Sequence, residues 1–530
     1  MSVALAGTRP LLRASLHHDG RLFAPWILFA TLLSASSVLA YPWIFPSAAD
    51  RAGLSTAIGA NPALGLIFGP AFDLSTTDGF NAWRSLAIGG FLAALGAIFS
   101  VTRATRAQED SGQAELLASG VMGRVTRLMA GVAIGLLGSV LMGAVAGLVT
   151  VACGGDWTAS MLLAATFTAT GWMFTGAAAI AAQLGSDART ANSIAIGTLG
   201  VLFLLRGFAY AVDAPAWTIW INPLGWMTET RPASGDNGWP LLPAVALTAA
   251  LLAVAFVLQA RRDFGVGAIA PRPGPAHGAD RSAWRLALRL NRPPLLTWTI
   301  AFIALGLVFG YFTTSIHDIL GQNPAVQHIL AAGATTPDAL VGAFVVTVLS
   351  LVGIIAAVPG VQTMLKVRSE ELADRVEPVI AAGGARTRYY AAHVVVALAA
   401  PAGYILIAGT LIATLAASAD IGVGFGDVLL QALVTVPAVC TVVAVSVAVV
   451  GARPQITLAA WLGVLVSFAL TLLGPTFKLW DWILAISPFW HVPHVTAAAP
   501  DLPGMLWVGL VALVLMAIGF ARFRRRDLAR

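Results

Sequence analysis

The chain has 530 residues, 58% of them hydrophobic and 11% charged, with a formal net charge of +6 and a mean hydropathy of +0.83. Too few charges are available to cover the surface of a water-soluble fold of this length. The basic excess is no nucleic-acid signature either, because the arginines fall in clusters between long apolar runs.

A bilayer core takes roughly 20 residues of helix to cross. Helix is the only spanning element the pattern allows, since backbone N–H and C=O groups must be paired within lipid and the alternation of a barrel is absent. The runs predict spans over residues 22–45, 84–101, 128–152, 157–184, 194–212 and 241–258. A second set follows over 295–313, 339–359, 389–416, 428–450, 456–473 and 505–520. The expected fold is therefore an all-α polytopic membrane protein of about twelve transmembrane helices. Val38-Leu39-Ala40 resembles a signal-peptide cleavage site, but the apolar run around it is too long for one. Trp43, Trp83, Trp157, Trp239 and Trp507 fall at span ends, as interfacial anchors do. Cys153 and Cys440 lack metal or disulfide spacing and read as small buried hydrophobes.

Outside the spans the basic residues gather at 9–21, 103–127, 189, 261–292, 366–388, 453 and 522–530. The alternate segments hold only Arg51, Arg84, Arg231 and Lys478. By the positive-inside rule the rich side is cytoplasmic, which puts both termini inside. Residues 265–280, with Pro271, Pro273 and Pro275, read as a cytoplasmic linker without a core. It separates a first half, 1–264, from a second, 281–530.

The halves repeat. Arg106, Glu109, Glu115 and Arg124 recur as Arg368, Glu371, Glu377 and Arg386 at one offset (377 − 115 = 262). Ile221-Asn222-Pro223 recurs as Ile486-Ser487-Pro488, and Arg261-Arg262-Asp263 as Arg525-Arg526-Asp527. An even number of spans per half makes the repeats parallel.

The segments after the second span of each half, 105–120 and 367–382, read as cytoplasmic helices with an acidic start, which suits the positive end of a helix dipole. Each then carries a short apolar patch, Leu116-Leu117 or Val379-Ile380. They are solvated connectors or docking surfaces, and the shared charge order favours docking. Residues 281–292 form an amphipathic segment expected to lie in the interface plane, with Arg281, Arg285, Arg289 and Arg292 on one face. Residues 11–21 are a weaker version.

No Asp or Glu falls well inside a predicted span, which counts against an ion-driven carrier. Arg206 is the clear intramembrane charge, read as structurally paired, with Asp213 a possible partner, or as a substrate contact. His393 reads as interfacial. A Walker A loop needs a lysine after glycine, yet Lys366 follows Leu365 and Lys478 follows Phe477. His491 and His494 read as packing rather than a metal pair, and Glu229, Asp236 and Asp481 as scattered and exposed. No enzymatic constellation and no cofactor site of this chain stands out.

The chain resembles fused two-half permeases of the ABC-2 exporter class, in particular actinobacterial exporters of polyketide-type antibiotics and other drugs. The resemblance rests on Glu109-Asp110-Ser-Gly112-Gln-Ala-Glu115, Arg206-Gly-Phe-Ala-Tyr, Asn222-Pro-Leu-Gly-Trp226, Arg261-Arg-Asp-Phe-Gly265 and Ser487-Pro-Phe489. It implies an elbow helix and a coupling helix in each half, short reentrant helices between spans five and six, and two copies of a separate nucleotide-binding protein that holds ATP and Mg. Arg106, Glu109, Asp110, Gly112 and Glu115 match the first coupling segment, and Arg368, Glu370, Glu371, Arg375 and Glu377 the second. Asp374 stands where the first copy has Gly112. The implied substrate is a hydrophobic or amphipathic small molecule, moved along a path for which Phe91, Phe203, Arg206, Phe344 and Phe468 are candidates. Membrane lipids are the other expected partners, and nucleic acid is not one. The rival readings are an ion-coupled secondary transporter with two six-helix halves, and a membrane scaffold or lipid-handling enzyme.

Overall fold

The computed structural model describes residues 8–59, 62–110, 112, 125–212, 214–262, 267–269, 282–314, 337–382, 385–419, 422–473, 480–495 and 502–527. Among them there is no strand, and eleven helices are long and apolar enough to cross a membrane. The protein is an all-α, multi-pass membrane protein. It forms two compact units, Met1–Gly274 and Pro275–Arg530.

In the first unit α1 (Thr8–Asp19) leads into α2 (Ala24–Ile44), the first span. Two short helices follow, α3 (Ala48–Gly59) and α4 (Pro62–Phe68), before the spans α5 (Thr77–Thr102), α6 (Thr126–Ala152), α7 (Trp157–Leu184) and α8 (Ala188–Ala211). Short α9 (Ala216–Ile221) and α10 (Pro223–Thr228) precede the sixth span, α11 (Leu241–Arg261). Helix starts are set by side-chain caps. Thr76 accepts from Gly79 N, Asp156 from Ala159 N and Asp187 from Thr190 N, each satisfying an amide the helix leaves open.

α7 is the hub, packing on α5, α6, α8 and α11. Lipid gives helices no hydrophobic reason to associate, so close backbone approach carries the packing. α6 presents Gly135, Ser139, Gly143 and Gly147 at four-residue spacing. A Cβ on Gly143 would stand 2.2 Å from Thr168 Oγ1 and 2.5 Å from the Ala164 carbonyl. Reciprocally, a Cβ on Gly171 of α7 would stand 2.2 Å from Ser139 Oγ.

The second unit holds α12 (Ala283–Thr314), α13 (Pro337–Leu372), short α14 (Val376–Ala381), α15 (Arg386–Ser418) and α16 (Phe425–Ala452). After these come the short α17 (Leu462–Phe468) and α18 (Asp481–Leu484), and the last span, α19 (Leu502–Arg525). Its core joins α13, α15 and α16 around Leu349, Val352, Ala397, Ile405 and Val443.

Several expectations are corrected here. The second span of this unit does not stop at Pro359 but continues to Leu372, so Glu370 and Glu371 end the span helix instead of starting a separate one. The amphipathic segment before the seventh span is not a separate helix, because α12 runs unbroken through Pro293 and Pro294. The expected span 456–473 is a composite of a 3-10 turn (Thr457–Trp461), α17 and a π-turn (Ala469–Leu473). That irregular piece is why eleven long apolar helices, rather than twelve, occur among the described residues. Cys153 and Cys440 are free thiols, half-buried. Glu115, Arg124, Asp213 and most of the segment 265–280 lie outside the described residues. Of that segment, Ala268 N and Ile269 N donate to the Gln183 and Leu184 carbonyls, so its start is pinned to the end of α7.

Candidate functional site

The basic ends of the two units carry the same ionic arrangement. In the first, α5 passes through a π-turn, Arg103–Ala107, and ends on Gln108–Asp110. Such turns are rare inside helices and recur at functional sites. The Glu109 carboxylate, 7% exposed, is ringed by three guanidiniums: Arg106 at 2.6 Å, Arg262 at 2.7 Å and Arg127 at 3.3 Å. Arg262 also donates to the Ala182 carbonyl at 3.3 Å, near the C-terminus of α7, where a cation is favoured by the helix dipole. Burial pushes the Arg262 guanidinium below its ordinary range, and Glu109 pulls against that.

In the second unit Glu371 is fully buried between Arg526 at 2.5 Å and Arg368 at 3.4 Å. Arg526 donates in turn to the Gly451 carbonyl at 3.1 Å and the Val450 carbonyl at 3.4 Å, at the end of α16. Each unit therefore has one arginine, just at or beyond the end of its last helix, that binds the glutamate closing its second span and caps its fourth. Removing either partner of such a pair leaves a charge buried alone, which is far costlier than the pair itself is worth.

Directly beyond each glutamate the chain turns through the left-handed region, Gly112 at φ 73° and Asp374 at φ 55°. Gly112 N donates to the Glu109 carbonyl and Asp374 N to the Glu371 carbonyl, at 3.2 and 3.0 Å. Glycine adopts this conformation without a Cβ penalty, and Asp is among the few others that tolerate it. The turn releases α14, which presents Glu377 to the exterior while Val376 stays buried. Exposed Arg375 pairs with the buried Glu370 at 3.6 Å. Glu115, the counterpart of Glu377, lies outside the described residues.

Asp110 accepts from Ala188 N at 2.6 Å, placing a carboxylate at the N-terminus of α8. Arg106 donates to the Ser186 carbonyl of the same junction. Partial burial opposes ionisation of the next residue, Asp187, but hydrogen bonds from Thr190 and Ser186 outweigh it and hold the carboxyl below its usual range. Spans two, three, four, five and six of the first unit thus meet at one ionic knot.

Of the residues picked out from sequence, Arg106, Glu109 and Asp110 come together, as do Arg368 and Glu371. Glu109 and Glu371 are interior, and only Asp110 and Glu377 are exposed among the acidic candidates whose side chains are described, Glu370 being buried too. Sequence reasoning missed Arg127, Arg262 and Arg526 as partners. The doubled Arg-Arg-Asp after each sixth span was the available signal. His393 is not interfacial but fully buried, its Nδ1 3.1 Å from the Tyr389 carbonyl.

At the opposite end of the first unit, Arg206 is 2% exposed. It donates to the Ile67 carbonyl at 2.7 Å and to Thr228 Oγ1 at 3.4 Å, and lies 4.9 Å over the Phe203 ring. Phe91 meets Phe203 edge-on at 5.2 Å, so three path candidates form one cluster. A Cβ on the next residue, Gly207, would stand 2.0 Å from the Leu66 carbonyl, so α4 lies directly on α8. Phe344 is buried against Phe312, and Phe468 is exposed. Glu229 is no isolated surface charge either, since Tyr210 donates to it at 2.8 Å and Arg231 pairs with it at 2.6 Å. His491 Nε2 lies 2.9 Å from the Ala485 carbonyl, and burial pushes the His494 ring below its ordinary range. Gln431 ties this segment to α16 through Pro493 and Val495. An almost wholly apolar groove of about 530 Å³ runs between α16 and α19, lined by Pro437, Cys440, Met505, Leu510 and Met516.

Compared with known proteins, residues 36–258 and 281–524 match the family described as multidrug efflux system permease Rv1217c, C-terminal domain. The two matched segments fall one in each unit. The multidrug efflux system permease protein Rv1217c of Mycobacterium tuberculosis (strain ATCC 25618 / H37Rv) is 35% identical over 535 residues, covering 98% of this chain and 95% of that protein.

Proposed function

Because this chain belongs to the Rv1217c family of multidrug efflux system permeases, we propose that it is the membrane subunit of an ATP-driven exporter, powered by a separate nucleotide-binding protein docked at the basic end of each unit. The observation that carries this reading is the repeated knot, Arg106–Glu109–Arg262 and Arg368–Glu371–Arg526, with an exposed acidic helix, α14, issuing from the second copy.

The coupling in this reading is mechanical. A motor protein gripping Glu377 displaces α14, and the left-handed turn at Asp374 joins that helix to α13 with little slack. The Glu371–Arg526 pair then passes the displacement to α16 and α19, moving three spans together. The first unit has the same linkage through Glu109 and Arg262. The basic end faces the cytoplasm in this reading, two copies of the ATPase engage the two halves, and ATP and Mg reside on them. The cargo is hydrophobic or amphipathic, in keeping with the apolar groove beside Met505 and Met516 and the aromatic cluster at Phe91 and Phe203.

The test is reconstitution with the ATPase encoded alongside. Glu377→Lys is expected to abolish co-purification and drug-stimulated ATP hydrolysis while leaving the chain folded. Drug export by the chain alone, driven by a proton or sodium gradient, would overturn the proposal.

A further inference from the structure

Residues 282–292 carry Arg285, Arg289 and Arg292 and no acidic residue. Spaced by four and three residues, the arginines share one face of α12, and all three are exposed. Trp284 and Leu288, 42% and 52% exposed, stand beside them. The opposite face is anchored, since Ala287 is buried with Ala392 and Val396 of α15, and Asn291 donates back to the Ala287 carbonyl. From Arg292 the helix runs directly into the apolar span. At 1.5 Å per residue the three arginines cover about 10 Å of helix just beyond the hydrocarbon, the depth of the headgroup layer.

One feature ties this face to the ionic knot. Pro294 has no N–H to give the Leu290 carbonyl, which would otherwise stand unpaired. Lys366 of α13 donates its Nζ to that carbonyl. Lys366 lies two residues before Arg368 and five before Glu371 on the same helix.

We propose that this face of α12 binds anionic phospholipid headgroups and that, through Lys366, their binding steadies the end of α13 that bears Glu371. Guanidiniums take phosphate in bidentate fashion, tryptophan belongs at the interface, and the exposed guanidiniums of Arg289 and Arg292 draw anionic headgroups more strongly than zwitterionic ones. The first-unit counterpart, α1, is a weaker candidate, since Asp19 and two histidines accompany Arg9 and Arg13.

The full chain is placed in nanodiscs of phosphatidylcholine, alone or mixed with phosphatidylglycerol, and the lipids it retains are counted by native mass spectrometry. The wild type is expected to enrich phosphatidylglycerol, with the enrichment falling as salt is raised. Arg289→Gln with Arg292→Gln should weaken that preference several-fold to about thirtyfold, while Arg289→Lys with Arg292→Lys keeps most of it. Hydrogen exchange over 366–372 should slow when phosphatidylglycerol is present. In Lys366→Gln the lipid preference should stay and that slowing vanish. Equal retention of the two lipids by the wild type, or a preference unchanged in the double glutamine variant, overturns the binding surface. Slowing that persists in Lys366→Gln overturns the tether. If the glutamine variant does not fold, the salt series on the wild type and the lysine variant decide the matter.

Discussion

The two ionic knots differ in how many cations hold each glutamate, which makes a ranking measurable. Glu371 has Arg526 at 2.5 Å and Arg368 at 3.4 Å, whereas Glu109 has three guanidiniums at 2.6, 2.7 and 3.3 Å. With an effective dielectric of about 20, each closest contact is worth about 5–7 kcal/mol of gross attraction. Arg526 then supplies more than half of the attraction on Glu371, while Arg262 supplies about a third of that on Glu109. Arg526→Met leaves a fully buried carboxylate with one distant partner and should cost about 3–5 kcal/mol. Arg262→Met leaves two close cations in place and should cost less than half as much. Thermal unfolding of both variants in one nanodisc preparation gives the order, and adding Glu371→Gln to Arg526→Met should recover much of the loss by removing the stranded charge. If Arg262→Met is as damaging as Arg526→Met, or Glu371→Gln brings no recovery, the knots do not work as buried ion pairs.

Three further outcomes follow from local geometry. Asp187→Ala should lower the stability of α8 by about 0.5–2 kcal/mol through loss of its cap, read as faster amide exchange over 188–211. Because the Asp187 carboxyl is held below its usual range, the wild-type contribution is present at neutral pH and lost as pH falls through that depressed value, while Asp187→Asn should keep the cap and flatten the acid dependence. Gly143→Leu should prevent α6 and α7 from meeting, with loss of folded yield, whereas Gly197→Ala, with no atom of the described residues within 4 Å of the new Cβ, should be tolerated. At the turns, Gly112→Val should cost about 1–2 kcal/mol by backbone strain, since its Cβ would meet no atom of the described residues, and Asp374→Gly should be neutral or stabilising in the same thermal assay.

Much of the fold is legible in the sequence because bilayer thickness and backbone pairing leave few choices for an apolar run of twenty residues. The 157–184 span agrees with α7 at both ends, where Asp156 caps the start and Gly185 follows the end. Span ends bearing charge are less legible. Hydropathy marks where the apolar run stops, but α13 continues for another 13 residues past Pro359 because Arg368 and Glu371 neutralise each other inside the protein. The same compensation hides the candidate site. Read singly, Glu109 and Glu371 look like solvated handles, and only the distant Arg262 and Arg526, over 150 residues away in sequence, convert them into interior groups. Arg206 is another case, since its partners are a backbone carbonyl and a hydroxyl, which no charge pattern announces.

The two units also use unequal chemistry at equivalent positions, and the differences share a direction. Where the first unit has Arg127 against Glu109, the second has Tyr389, whose hydroxyl is buried without a hydrogen-bond partner among the described residues. Where the first turns on Gly112, the second turns on Asp374, and the fifth span, intact as α8, is a composite of 3-10, α and π turns in the second. Each substitution removes a stabilising element from the second copy: a cation, a relaxed turn or a continuous helix. Such a unit has the lower resistance to rearrangement, because fewer interactions must be broken before its second, fourth and sixth spans separate at their basic ends. The anchoring of α12 through Lys366 adds back a contact at that end. A transporter that must change shape gains from having one half stiff and the other held by links that can be loosened one at a time.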